Sequence, residues 1–161
     1  MTYEHLRTLC AWVDPFFLVL LIVVAWAKHP KRIAALRFLG VSLAGLLIAC
    51  LLAHTNRLLH LWKSHLVFPS GHMSFYVSVA TSLVLADRRW IFVTVPGAIG
   101  FGFLLVLLGY HSWLDVVGAW FMASLVTWLC HRALKRRESS VSSAPTDLSS
   151  NAPCDSSART E

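Results

Sequence analysis

Two short motifs in this chain hold residue types that can cleave a phosphate ester. The first is Pro69-Ser70-Gly71-His72, placed directly before an apolar run. Backbone N–H groups at a helix start are unpaired and point outward, so an anion binds there readily. Ser70 can cap such a helix or offer its hydroxyl, and Gly71 lets a phosphate approach the backbone. His72 would stand beside that phosphate. The same tetrapeptide is also a good turn, with His72 as an interfacial polar residue. The second motif is His111-x-x-x-Asp115 within Gly109-Tyr-His-Ser-Trp-Leu-Asp115. A spacing of four puts both side chains on one helix face, where the carboxylate can fix the imidazole tautomer and leave the other nitrogen free to attack. The bland alternative is a hydrogen-bonded pair that anchors a helix. Two histidines and a carboxylate around an anion-binding helix start together form a phosphoryl-transfer constellation.

These motifs must be positioned by the elements around them, and composition says what those are. Of 161 residues, 57% are hydrophobic and 14% charged, with a mean hydropathy of +0.63. Soluble domains carry about 45–50% apolar and about 25% charged residues, so both departures point to a membrane. Apolar segments run over 11–27, 38–53, 73–86, 90–108 and 116–130. A span takes about 17–25 residues. The third and fifth runs are short, and their N-terminal extensions hold the motifs. The expectation is an all-α, polytopic bundle of about five membrane helices over residues 1–137. A Ser-rich tail over 138–161 cannot bury a core and is expected to be disordered. No cleavable signal peptide is read at the start, so the first run is taken as a retained span.

Charge placement gives a topology that does not use the motifs. Lys28, Lys31, Arg32 and Arg37 form one basic segment, Arg88 and Arg89 a second, and Arg132 to Arg137 a third. Five spans put all three on one side, which the positive-inside rule makes the cytoplasm. Both motifs then fall on the non-cytoplasmic face and the C-terminus in the cytoplasm, as for a plasma or bacterial inner membrane. Trp62, Trp90 and Trp113 lie near span ends, where interfacial tryptophans collect. The basic clusters are read as topology signals or headgroup contacts, so nucleic acid is not an expected partner. The four cysteines show no metal-ligand spacing, and no metal or cofactor is implied. Asp14-Pro15 is read as the entry to the first helix. Gly97, Gly100 and Gly102 are read as small surfaces for helix contact.

The combination of FPSGH with HSWLDVVGAW, over roughly residues 54–131, resembles the PAP2 superfamily of phosphatidic-acid phosphatases and related haloperoxidases. The resemblance implies a metal-independent phosphatase that hydrolyses a phosphomonoester or diphosphate of a membrane lipid. In it His111 would be the nucleophile forming a phosphohistidine and Asp115 its orienting group. His72 would be the general acid, with Ser70 and Gly71 binding phosphate. The family's Ser-Arg pair upstream of the nucleophile is replaced here by Leu104-Leu105, and the first family motif has no clean match. Arg57 or Lys63 is the expected substitute for the phosphate clamp. His54, His60 and His65 are read as solvated or interfacial. Sphingomyelin-synthase-like phosphotransferases share the His-x-x-x-Asp-Val form and lack the Ser-Arg, which gives a lipid headgroup transferase as the alternative. A non-catalytic membrane module of the same fold is the other.

Overall fold

A computed structural model describes residues 3–59 and 69–142, the side chains of 3–7, 9–11, 56–58 and 138–142 excepted. It consists of α1 (Tyr3–Lys28), α2 (Arg32–Leu59), α3 (Gly71–Ala86), α4 (Ile91–Leu107) and α5 (Trp113–Ser142), with a 3₁₀ turn at Arg88–Trp90 leading into α4. Segments this apolar form helices because only a helix satisfies every backbone N–H and C=O within the segment when no water is at hand. The chain is thus an all-α bundle of five helices. By length and composition, Arg32–Thr55, Arg88–Leu107 and Trp113–Arg137 can each cross a membrane, and Gly71–Ala86 is a shorter apolar helix. Their outward faces carry large apolar side chains, such as Phe92 at 81% and Phe121 at 74% exposure. That pattern suits contact with lipid rather than water.

Two boundaries differ from the sequence reading. The first helix does not start at Asp14-Pro15: α1 begins at Tyr3 and holds Pro15 in its interior. Pro is tolerated there because neighbouring helices and local adjustment re-satisfy the freed backbone group. At the other end α5 runs through Ser142, so residues 138–142 continue the helix past the expected boundary at 137. The rest of the expected tail lies outside the described residues.

Helix α3 is the axis of the bundle and packs against the other four helices. It is buried on nearly every side, through Met73, Tyr76, Val77, Val79, Ala80 and Leu83. The Tyr76 ring lies 4.5 Å from that of Phe17 on α1 and 5.6 Å from that of Phe101 on α4. Its hydroxyl donates to the Thr94 carbonyl at 3.2 Å. Ser70, Ser74, Ser78 and Ser82 follow one another at every fourth residue, all buried. Small side chains on that stripe let α2 and α5 approach closely.

Two of the three α4 glycines expected at contacts are so placed. A Cβ on Gly97 would run into the Tyr76 hydroxyl, and one on Gly102 would lie 2.8 Å from Val116 Cγ1 of α5. Gly100 has open space beyond it, so it mediates no contact here. Since Tyr76 is held between two rings and hydrogen-bonded, it cannot yield without cost. Gly97→Ala should destabilise by about 1–3 kcal/mol, the usual range for overpacking. Thermal unfolding in detergent would read this as a lower midpoint, with Gly100→Ala close to wild type.

The bundle segregates its ends. At one end Lys28 closing α1 pairs with Asp87 closing α3. There too the rings of His29, Phe38 and His131 stack at 5.0 and 5.1 Å. His131 also lies 3.2 Å from Ser42 Oγ and 3.4 Å from Ser82 Oγ. The three basic segments therefore gather at this end. The starts of α3 and α5 lie at the other.

Candidate active site

At the start of α3, Ser70 is the N-cap in extended conformation (φ −62°, ψ 123°), and its Oγ accepts from the Met73 N–H at 3.3 Å. The Ser74 N–H donates to the Ser70 carbonyl at 2.9 Å. The N–H groups of Gly71 and His72 have no such partner among the described residues. Gly71 is exposed, with nothing within 4 Å of where its Cβ would be. Two free donors, an unobstructed glycine and the positive end of a helix make room suited to an anion.

The α4–α5 connection is built from two local devices. Gly109 takes φ +70°, a left-handed conformation that glycine adopts without Cβ strain. The Gly109 N–H donates to Val106 O at 3.0 Å and the Tyr110 N–H to Leu105 O at 3.1 Å, the paired bonds of a Schellman cap. Ser112 then opens α5 in a capping box with Asp115. The Asp115 Oδ2 accepts from both the Ser112 N–H and its hydroxyl at 2.8 Å, and the Asp115 N–H lies 3.4 Å from Ser112 Oγ. His111 is delivered between the two caps.

This corrects the expected His111–Asp115 arrangement. The helix starts at Trp113, so His111 lies outside it and the two residues do not share a helix face. No hydrogen bond joins them, because Ser112 is closer to the carboxylate and occupies Oδ2. His111 Nδ1 and Asp115 Oδ1 are both buried with no partner among the described residues. Asp115 acts on His111 through its charge, which favours the imidazolium. Burial outweighs it, and the His111 pKa is lowered from its ordinary 6.5 by desolvation first, with the nearby His72 adding to the lowering.

The two motifs meet. The Ser70 N–H donates to the Asp115 backbone carbonyl at 3.2 Å, which ties the start of α3 to the start of α5. Asp115 is 5% exposed and Ser70 fully buried, so this junction is internal, while His72 is exposed and His111 half-buried above it. The structure adds one residue that the motifs do not contain. Asp14 of α1 places Oδ2 2.8 Å from His72 Nδ1. Asp14 is no helix entry but lies inside α1; the signal in the sequence that points to it is a carboxylate within an apolar helix, which demands a partner.

Leu104 and Leu105 stand at the end of α4, Leu105 wholly buried in the core, so no cation can come from these positions. Arg57 lies in the last turn of α2, and its side chain is outside the described residues, as are Lys63, Trp62, His60 and His65. His54 is exposed. Among the described residues, no group of three His, Cys, Asp or Glu side chains is arranged to hold a metal ion.

The model of the PAP2 superfamily matches residues 54–139, more than half of the chain, and spans both motifs with α3, α4 and most of α5. The chain belongs to the PAP2 superfamily. The family is of phosphatase type and its fold is helical, in keeping with this bundle. No curated protein and no solved structure matches the chain. Within this PAP2 protein, α1 and its Asp14 lie outside the matched segment.

Proposed function

We propose that the protein is a lipid phosphate phosphatase that works through a phosphohistidine. The observation that carries this reading is the Ser70–Asp115 backbone bond, which brings both motifs to one end of the bundle. The substrate phosphate would sit on the free N–H groups at the start of α3, beside Ser70 and Gly71. His111 attacks phosphorus as the bond to the ester oxygen breaks. His72 gives its proton to that oxygen, so the alcohol leaves neutral. A water then attacks the phosphohistidine, His72 takes its proton, and the P–N bond breaks to release phosphate. Asp115 contributes its negative charge to the imidazolium that forms on attack. Arg57, at the end of α2, and Lys63, just beyond it, are the cations proposed to stand in for the family's arginine.

A groove of about 620 Å³ supports a lipid as substrate. It opens between α4 and α5 with α3 as its floor, lined by Val77, Val95, Ala98, Trp120, Phe121 and Ser124 among others. Asp115 and Trp120 are five residues apart on α5, so the groove begins about 8 Å along the helix from the motif. An apolar chain attached to a phosphate at the site can lie there. The basic segments at the opposite end support a topology with the site on the non-cytoplasmic face of a plasma or inner membrane, and the C-terminus inside.

The test is phosphate release by purified protein in lipid nanodiscs. The panel is phosphatidic acid, phosphatidylglycerophosphate, prenyl diphosphates and phosphorylated sphingolipids. Turnover of at least one is expected, and Ser124→Phe, which fills the groove, should raise KM about tenfold or more for long-chain substrates, given about 0.8 kcal/mol per buried methylene. No release from any of them would overturn the reading. The buried Leu105 at the family's arginine position favours a second reading, a headgroup transferase. Competition between a lipid alcohol and water for the phosphoryl-bearing group would reveal that activity.

A further inference from the structure

Asp14 belongs to neither motif, yet its carboxylate reaches one of them. Its Oδ2 lies 2.8 Å from His72 Nδ1, its side chain is 22% exposed, and Oδ1 is buried with no partner among the described residues. A carboxylate at this depth is costly and is retained where it has a partner and a task. The partner here is an imidazole. With Nδ1 committed to Asp14, the ring of His72 is left with Nε2 for any group above α3.

The two histidines of the site are thereby treated differently. His111 has a buried Nδ1 with no partner, whereas His72 has a carboxylate on the same atom. The first arrangement suits a neutral nucleophile and the second a proton donor. The α1–α3 register that makes the contact is fixed at the far end by Lys28 and Asp87.

We propose that Asp14 is a positioning residue for His72, holding its ring so that Nε2–H faces the leaving oxygen. This rests on the reading of His72 as the general acid. Asp14 stays a carboxylate throughout. In the first step the Nε2 proton passes to the ester oxygen as the P–O bond breaks, leaving neutral His72 with Nδ1–H still donated to Asp14. In the second step Nε2 takes the proton of the attacking water.

The test compares two esters that carry the same octyl tail, an alkyl phosphate and a nitrophenyl phosphate. Nitrophenolate leaves without a proton, so only the alkyl ester needs the acid. Asp14→Asn should lower kcat/KM, which reads only the steps up to departure of the leaving group, about 10- to 100-fold for the alkyl ester, as loss of an orienting partner typically does, and change it by less than about twofold for the aryl ester. In a His72→Ala background, Asp14→Asn should add nothing. An equal loss with both esters, or a further loss in that background, would overturn the proposal. If D14N does not fold, Asp14→Glu, which keeps the charge but moves it by one methylene, carries the same comparison. A drop confined to the alkyl ester supports the proposal, and an equal drop, or none, overturns it. If His72→Ala itself shows no leaving-group dependence, the general-acid reading fails, which is distinct from failure at Asp14 alone.

Discussion

Protein carrying His111→Ala should release no measurable phosphate from any lipid phosphate the wild type cleaves, a loss of about 10⁴-fold or more, as for other enzymes stripped of their nucleophile. The variant should fold. The connection that holds His111 is shaped by the Gly109 cap and the Ser112–Asp115 box, and its Nδ1 makes no hydrogen bond that alanine would remove. Wild-type protein quenched during turnover should carry an acid-labile phosphoryl group that the variant lacks. Retained turnover, or a labelled variant, would refute the nucleophile assignment. The pH dependence has a definite sign. Only neutral imidazole attacks, and burial keeps the His111 pKa below 6.5. Activity should therefore persist to below pH 6.5 and be lost as the pH falls through that depressed value.

Replacing His72 with alanine should have the second-largest effect, and an uneven one. General acid catalysis contributes about 10²- to 10⁴-fold, and a leaving group that departs without a proton forgoes most of it. Turnover of an alkyl phosphate should fall by that amount. A nitrophenyl phosphate should still phosphorylate His111, but without a base for the attacking water the second step slows. The expected record is a burst of nitrophenolate, stoichiometric with protein, followed by a slow steady rate. A uniform loss with no burst would assign His72 to binding instead.

Much of this was legible in the sequence, for physical reasons. Apolar runs must be helical where there is no water, and every one of the five marks a helix. Charge placement alone separates the two ends of the bundle, and the Lys28–Asp87 pair and the His29–Phe38–His131 stack gather the basic segments accordingly. What was not legible depended on where helices begin. Asp-Pro marks an entry in a soluble helix, but in an apolar bundle Pro15 is accommodated inside α1, and Asp14 becomes an interior group aimed at α3. The spacing of His111 and Asp115 suggests a shared face only if the helix includes both. Glycine at 109 and serine at 112 stop one helix and start the next, which puts the histidine in the turn. Gly100 looks like Gly97 and Gly102 in sequence, and only the packing of neighbours tells them apart.

The two polar side-chain contacts between α1 and α3, Asp14 with His72 and Lys28 with Asp87, also measure the molecule. Asp14 and Lys28 are fourteen residues apart on one helix, His72 and Asp87 fifteen on the other, which at about 1.5 Å per residue is roughly 21 and 22 Å. A bilayer's hydrocarbon layer is about 30 Å thick. With the Lys28–Asp87 pair at one boundary, the plane of His72 lies several ångströms short of the other, while α1 continues eleven residues beyond Asp14 towards Tyr3. His72 then lies below the level at which α1 starts. Such a mismatch is relieved by local thinning of the bilayer, at a modest cost per ångström. On the proposed reading, membrane thickness becomes a parameter of the reaction, since it would set how far a lipid phosphate must sink to reach His111.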